Sequence, residues 1–188
     1  MTRFLSKQQT DFIKDNFFEL SFSGQEPDRK SFDKIETPAQ LHYLANIYNW
    51  DDGAEVLDWI ISSPRCDKGT ALLLFWSAEP DYYTKFDNKS EADSDQEIYL
   101  LLRKIIANWQ SGFYKQERFK FDSIAEGYDV DYRYPDEKWM IPDEMKKPTS
   151  GGNVYGIDDI LTGLTKRIKI WWIRQKLALK GKKQRRKR

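Results

Sequence analysis

Residues 37–81 read TPAQLHYLANIYNWDDGAEVLDWIISSPRCDKGTALLLFWSAEPD, and this stretch decides the fold of the chain. It predicts three short helices separated by turns at Trp50–Gly53 and Pro64–Gly69. The third helix is apolar on all sides from Ala71 to Trp76, so we expect it to be buried at the centre of the molecule. Short helices joined by tight turns pack antiparallel or as a small array.

Capping residues indicate where these helices begin. Thr37 is a good N-cap, and Pro38 suits the first helical position because its missing N–H needs no partner there. Asp51 or Asp52 can cap the second helix, and Asp67 can cap the third. The adjacent carboxylates of Asp51 and Asp52 could instead bind Mg²⁺ or act in acid–base chemistry, but capping is the simpler interpretation.

The sequence on either side of this stretch predicts two more helices and a loop. Ser6 can cap a first helix over residues 7–20. Residues 21–31 contain Gly and Pro among alternating charges, which is typical of a loop. A long helix is predicted from residue 94 or 95 to about residue 114, because its apolar residues recur at helical spacing.

The remainder of the chain is less regular. Residues 119–145 are acidic and interspersed with Tyr and Trp, so we expect loops with short strand pieces at most. Residues 150–153, SGGN, are a candidate flexible hinge. A basic amphipathic helix is predicted over residues 157–179, packed on the body or extending from it, and a disordered basic tail over residues 180–188.

These patterns predict a mostly α fold, which is a compact helical array or bundle with irregular acidic loops and a basic C-terminal helix. Residues 1–150 are predicted to form one helical domain whose core lies within residues 37–122. A chain of 188 residues is long enough to bury one full core.

Charge is distributed unevenly along the chain. From Gly156 to Arg188 there are 12 Lys or Arg residues and 2 Asp or Glu residues, whereas the rest of the chain has 19 and 28. The formal net charge of +1 therefore conceals an acidic body and a basic end. Such a distribution steers partners of opposite charge and says nothing about the fold.

Several features of the sequence predict a soluble, cytoplasmic protein. No apolar run approaches the roughly 20 residues that a membrane-spanning helix needs. The N-terminal residues MTRFLSKQQTDF lack the apolar region of a secretory signal. Cys66 is the only cysteine, which excludes an internal disulfide and fits a reducing compartment.

Residues that could support catalysis are few. His42 is the only histidine, and with a single cysteine no zinc cluster can form, so we expect no metal and no cofactor. A packed histidine and an incidental Cys66 are simpler interpretations than a thiolate pair. Phosphate-binding glycine loops and the common hydrolase, protease and kinase motifs are absent. We therefore expect no enzyme, since one that used His42 or Asp51 and Asp52 would need a deep pocket uniting these side chains.

The acidic, aromatic segments at residues 79–97 and 122–144 are the first candidate binding surface. They could simply be solvated loops. However, Tyr and Trp supply contact area and carboxylates steer association, so these segments also predict a docking face for a basic protein. The predicted contact residues are Asp87, Glu91, Asp93, Asp95, Tyr132, Tyr134 and Trp139.

The basic C-terminal region is the second candidate surface. Its simplest interpretation is a helix that packs on the body and ends in a solvated tail. The alternatives are contact with a membrane surface and binding to a nucleic-acid backbone. The predicted nucleic-acid-binding residues are Lys166, Arg167, Lys169, Arg174, Lys176, Lys182, Lys183, Arg185 and Arg186.

Six pieces of the sequence, in this order and spacing, carry a family resemblance: Leu41–Ala45, Tyr48–Gly53, Cys66–Asp67, Gly69–Trp76, Gly112–Tyr114 and Phe121–Asp122. In these pieces the chain resembles the bacterial family known as domain of unknown function 4274. The resemblance covers about residues 32–122. The first helix and everything after about Ser123 lie outside it.

The name of that family assigns no activity. The resemblance implies a small bacterial protein of the kind encoded beside antibacterial toxins as their immunity partner. The leading hypothesis is therefore a non-catalytic, immunity-type inhibitor that binds and neutralises a cognate toxin in the bacterial cytoplasm. The alternative is an accessory protein that binds nucleic acid through its basic C-terminal region.

Overall fold

A computed structural model of the chain describes residues 1–161. These residues are mainly helical and contain a small two-stranded sheet, which confirms the predicted mostly α fold. The predicted C-terminal helix is described only over residues 157–161. The rest of that helix, the tail at residues 180–188 and all the predicted nucleic-acid-binding residues, Lys166, Arg167, Lys169, Arg174, Lys176, Lys182, Lys183, Arg185 and Arg186, lie outside the described residues.

The elements follow one another in a simple order. They are β1 (Arg3–Leu5), α1 (Lys7–Phe17), α2 (Leu20–Ser23), α3 (Arg29–Phe32), α4 (Pro38–Ile47), α5 (Glu55–Ser62), α6 (Lys68–Ser77), α7 (Pro80–Tyr83), α8 (Gln96–Gln110) and β2 (Val154–Gly156). Short 3₁₀ helices lie at Trp50–Asp52, Lys89–Asp95 and Asp143–Lys146.

Helix α6 is the centre of the hydrophobic core, as its apolar sequence predicts. Every residue from Gly69 to Trp76 is buried. The helix packs against α4 on one side and against α8 on another. The indole N–H of Trp76 donates to the carbonyl of Met145 at 2.9 Å, so this central ring also attaches the 3₁₀ helix at Asp143–Lys146.

Three of the predicted N-caps are confirmed. Ser6 and Thr37 each accept from the backbone N–H three residues later, where a Gln side chain returns to the backbone of the capping residue. Pro38 occupies the first position of α4. Asp67 caps α6 by accepting from the N–H of Gly69 at 2.9 Å.

The predicted role of Asp51 or Asp52 as the cap of α5 is wrong. Helix α5 begins after Ala54, which makes no side-chain cap. The two carboxylate oxygens of Asp52 instead accept from the N–H groups of Leu20 and Ser21, each at 2.9 Å. Because Gly53 turns the chain with φ of 85°, the carboxylate points away from α5 and binds the start of α2.

Residues 21–31 are also more ordered than the sequence predicts. The first helix ends at Phe17, and the left-handed backbone of Glu19, with φ of 54°, starts the new helix α2. Gly24 closes α2 in the same left-handed region. Asp28 then caps α3 by accepting from the N–H groups of Lys30 and Ser31. The polar residues typical of a loop here serve as helix caps.

The long helix α8 ends earlier than predicted. It ends at Gln110 because Gly112 adopts the left-handed conformation with φ of 68°, and the N–H of Phe113 returns to the carbonyl of Asn108 at 2.9 Å. The 3₁₀ helix at Lys89–Asp95 directly precedes it, so its start at Gln96 lies close to the predicted one.

The predicted hinge at residues 150–153 is instead tightly packed. Strand β2 pairs in parallel with β1, and an isolated bridge joins Phe119 to Gly152. A Cβ on Gly151 would collide with the backbone of Arg118, and one on Gly152 with the backbone of Met1. Neither strand was predicted from the sequence, because each has only three residues and pairs with a strand far away along the chain.

The start of the C-terminal region is attached to α1 and α4. The carboxylate of Asp159 accepts from the Tyr43 hydroxyl and from the Lys14 ammonium, both at 2.6 Å. Lys7 forms an ion pair with Asp158 at 3.0 Å. Burial and the hydrogen bond to Asp159 raise the pKa of Tyr43 to about 12, so its hydroxyl remains a donor at neutral pH.

The Asp67 carboxylate joins α6 to a distant part of the chain. Besides capping α6, it accepts from the N–H of Arg118 at 2.7 Å and from that of Phe119 at 3.3 Å. The side chain is buried, and burial raises the pKa of its carboxyl against the lowering effect of these backbone donors. The hydrogen bonds from Gly69, Arg118 and Phe119 offset the cost of burying the charge.

We expect Asp67→Ala to lower the free energy of unfolding by about 3 kcal/mol or more, because three N–H donors then lose their acceptor. The matched variant Asp28→Ala removes an exposed N-cap and should lower the free energy of unfolding clearly less. Urea unfolding monitored by tryptophan fluorescence measures both values. Equal losses in the two variants would mean that the second connection, to Arg118 and Phe119, contributes nothing.

Candidate functional site

Lys85 lies at the centre of an aromatic cluster beside α7. Its ammonium nitrogen is 3.7 Å from the centroid of the Tyr82 ring, 5.1 Å from that of Phe86 and 5.3 Å from that of Tyr134. Tyr82 in turn contacts Tyr83 and Phe86 edge to face. A lysine packed over several rings is attracted by their negative faces, so it fixes these side chains relative to one another.

The cluster brings together two segments that are far apart in the sequence. Tyr134 lies against Lys85, and Tyr132 packs edge to face on Tyr134 with ring centroids 5.2 Å apart. Tyr132 remains 48% exposed. Burial, the neighbouring Tyr132 and the charge of Asp81 raise the pKa of Tyr134, which keeps this phenol neutral.

Trp139 mainly attaches the second segment to the body. Its indole N–H donates to the carbonyl of Tyr83 at 3.1 Å, and the N–H of Lys138 donates to the carbonyl of Thr84 at 2.7 Å. The guanidinium of Arg103 lies 5.0 Å from the Trp139 ring. The indole donor and one ring face are therefore occupied, and Trp139 is half-buried.

The four predicted acidic contact residues play different structural parts. The Glu91 carboxylate accepts from the N–H of Asp87 at 2.9 Å and from the amide of Asn88 at 2.7 Å, so it stabilises the turn that it belongs to. Asp87 and Asp93 are exposed, and Asp93 has a left-handed backbone with φ of 47°. Asp95 is half-buried immediately before α8.

The structure brings only Asp95 among these carboxylates to the aromatic cluster. Asp95, Tyr82 and Tyr83 line a shallow cleft of about 310 Å³. Burial raises the pKa of Tyr83 to about 12, and the charge of Asp95 adds to this shift. Asp87, Glu91 and Asp93 lie on the adjoining turn. We call the exposed surface formed by Tyr82, Lys85, Asp87, Asp93, Tyr132 and Tyr134 the α7 face.

Sequence reasoning missed Tyr82 and Lys85. Their signal in the sequence is the run Asp-Tyr-Tyr-Thr-Lys-Phe at residues 81–86, in which aromatic residues surround one lysine. The run begins within α7, the helix that starts with proline, and continues just beyond it. That run predicts local packing, but it does not reveal that Tyr134 completes the cluster.

His42 and Cys66 each have their own packing partners, and no hydrogen bond joins them among the described residues. The His42 ring is buried, with Nδ1 2.9 Å from the Thr70 hydroxyl and its face 4.8 Å from the Phe119 ring centroid. Burial lowers the pKa of His42 to about 4 and raises the pKa of the Cys66 thiol above its ordinary range. The Cys66 thiol is protonated and is directed at the carbonyl of Asp67.

Residues 1–161 contain neither a metal-binding cluster nor a membrane-spanning helix. Within that range no group of three or more His, Cys, Asp or Glu side chains is placed to hold a metal ion. None of the helices described there is long and apolar enough to cross a bilayer.

The segment that builds this scaffold matches a known family. Residues 36–113 match the family model described as Domain of unknown function (DUF4274). We call residues 36–113 the DUF4274 segment after this match. The match confirms the predicted resemblance over a slightly shorter range. No curated protein and no solved structure gave a match.

The DUF4274 segment contains helices α4 to α8 and four of the six residues of the α7 face. Helices α4 to α8 lie within it, together with His42, Tyr82 and Lys85. Tyr132 and Tyr134 follow it in the sequence. The face is therefore composite, because the DUF4274 segment supplies four of its residues and the following chain supplies two further rings.

The neutral, buried His42 of the DUF4274 segment makes stability depend on pH. Its pKa is about 4 in the folded chain against 6.5 for the free side chain, so between these values only the unfolded chain binds the proton. The contribution of His42 to the free energy of unfolding is complete above pH 6.5 and is lost as the pH falls toward 4, which amounts to about 2–3 kcal/mol near pH 4.5. Urea unfolding between about pH 7 and pH 4.5 measures it.

The control for this prediction is His42→Gln, which cannot titrate. The carboxylates titrate in both this variant and the unchanged chain, so their contribution cancels in the difference between the two free energies of unfolding. We expect that difference to change steadily as the pH falls. A constant difference across the range would contradict the lowered pKa of His42.

Proposed function

We propose that this chain is a non-catalytic binding protein of the immunity type, which neutralises a cognate antibacterial toxin in the bacterial cytoplasm by docking through the α7 face. The observation that carries the proposal is the Lys85-centred aromatic cluster, in which Tyr82, Tyr132 and Tyr134 are held together at the surface. Its rings are already ordered, so little side-chain entropy is lost on binding.

The chemistry of the α7 face suits a basic partner. Exposed tyrosine rings supply contact area and hydroxyl groups, which is why tyrosine is enriched among the residues that dominate interface energetics. Asp87 and Asp93 are exposed on the adjoining turn. Residues 1–155 contain 28 acidic and 19 basic residues, so long-range attraction would speed association with a cationic domain.

The states of the reactive groups support a non-catalytic role. His42 is neutral and buried, and its pKa of about 4 is far from the working range of a general base at pH 7. The pKa of Cys66 is raised, which removes its nucleophilic thiolate form. Asp52 uses both carboxylate oxygens to bind the backbone of α2.

The product of the reading frame next to this one is the partner to test. We expect it to bind in a one-to-one complex. The double variant Asp87→Lys with Asp93→Asn should slow association at least tenfold at low ionic strength, since it removes two negative charges from the α7 face and adds one positive charge. Asparagine is chosen at Asp93 because it tolerates the left-handed backbone there. Stopped-flow fluorescence at two salt concentrations measures the rates.

The charge-matched control is Glu26→Lys with Glu36→Gln, two exposed residues outside the α7 face. This control makes the same change in net charge and should slow association less than threefold. Tyr132→Ala, which removes an exposed ring, should accelerate dissociation by tenfold or more. Equal effects of the two double variants, or no binding by the neighbouring gene product, would exclude docking at this face.

The alternative function, nucleic-acid binding, is favoured by the charge of the chain beyond residue 161, where 12 Lys or Arg residues occur without Asp or Glu. Deleting residues 180–188 should then remove most of a salt-dependent affinity for a duplex or a single strand. Fluorescence anisotropy at about 50 and 200 mM salt measures it. An intact chain without measurable affinity at the lower concentration would eliminate this alternative.

A further inference from the structure

A second cleft, of about 400 Å³, shares the lining residues Trp50 and Ser77 with the cleft at Tyr82. We call it the His42 cleft. One wall comes from α4 and α6 of the DUF4274 segment, and the other comes from the chain around Lys120 to Tyr128 and around Tyr155. Its volume falls within the range of pockets that hold small organic ligands.

The hydrogen bonding of Thr70 determines which nitrogen of His42 carries the proton. The Thr70 side chain is completely buried, and Nδ1 of His42 is its one hydrogen-bond partner among the described residues. If Nδ1 carried the proton, the Thr70 hydroxyl proton would be buried without an acceptor, at a cost of about 1–3 kcal/mol. Thr70 therefore donates to Nδ1, and the ring proton of neutral His42 is on Nε2.

The Nε2–H of His42 is directed at the cleft. Within residues 1–161 the Nε2 nitrogen has no hydrogen-bond partner in the protein. The Ser123 hydroxyl is the one buried side-chain polar group of these residues that lacks a hydrogen bond, so Nε2 is not fully buried. His42 lines the cleft, so the accessible part of its ring is at the cleft wall. Because its pKa is about 4, it offers a neutral donor at pH 7.

The other groups in the cleft define the kind of ligand. Lys120 supplies a positive charge that makes no ion pair with the described residues. Trp50, Tyr128 and Tyr155 provide flat apolar surfaces, and Tyr128 is fixed by the rings of Trp76 and Phe121. Glu126 adds one acceptor. The neutral N–H of His42 and the ammonium of Lys120 suit an anionic group of a ligand. The aromatic rings suit a planar ring system on the same ligand.

We propose that the His42 cleft binds a small planar organic anion. Its carboxylate or phosphate interacts with the Nε2–H of His42 and with the ammonium of Lys120. Its ring stacks among the aromatic side chains, and an N–H on that ring donates to Glu126. This site is separate from the α7 face, so a failure of the docking proposal leaves it unaffected.

The single histidine of the chain gives this proposal a direct probe. In protein labelled with ¹⁵N-histidine, a long-range ¹H–¹⁵N spectrum should show one imidazole with Nδ1 bare and Nε2 protonated. Indole-3-carboxylate should shift the Nε2 signal in a saturable way at millimolar concentrations or below. The neutral analogue indole-3-carboxamide should bind at least tenfold more weakly. Adenosine monophosphate, titrated in parallel, distinguishes a phosphate from a carboxylate by which anion saturates at lower concentration.

Two lysine variants locate the anion. Lys120→Gln should weaken binding at least fivefold, whereas Lys115→Gln, which changes an exposed lysine outside the cleft, should alter it less than twofold. A proton on Nδ1, an Nε2 signal that neither anion shifts, or equal binding of the carboxamide would overturn the proposal. Equal effects of the two lysine variants would also overturn it, because the charge would then act only at long range.

Discussion

The buried carboxylate of Asp67 is the interaction on which the rest of the structure depends. It binds the first turn of α6 and the extended backbone at Arg118 and Phe119 with the same two oxygens. Gly69, in that first turn, has no Cβ and so admits the carbonyl of Phe119. A charge that is costly to bury is stable there because it has enough donors, and those donors come from two places in the chain.

The position of Phe119 in turn determines what can form nearby. Its ring packs on His42, and Thr149 continues the connection by donating to the carbonyl of Phe119 and accepting from the N–H of Phe121. The chain after Thr149 then reaches β1. The wall of the His42 cleft around Lys120 to Tyr128 and the sheet that pairs β1 with β2 are both consequences of this arrangement, and both lie outside the DUF4274 segment.

The sequence predicted the local features well and the distant pairings poorly. Capping by Ser6 and Thr37 and the burial of α6 depend on residues within a few positions of one another, so spacing alone reveals them. The attachment of Asp52 to α2 spans more than 30 residues, and the β1–β2 pairing spans most of the chain. The contact of Lys85 with Tyr134 is of the same kind. No local pattern encodes which distant segment a carboxylate or a lysine meets.

The bond between Trp76 and Met145 has a practical consequence for dissecting this protein. Trp76 is within the family segment and Met145 is well outside it, as are the donors that Asp67 requires. A fragment cut at the family boundaries would leave a buried indole and a buried carboxylate facing water. The unit recognised by sequence comparison is thus smaller than the unit that folds, and fragments for solution work need both strands β1 and β2.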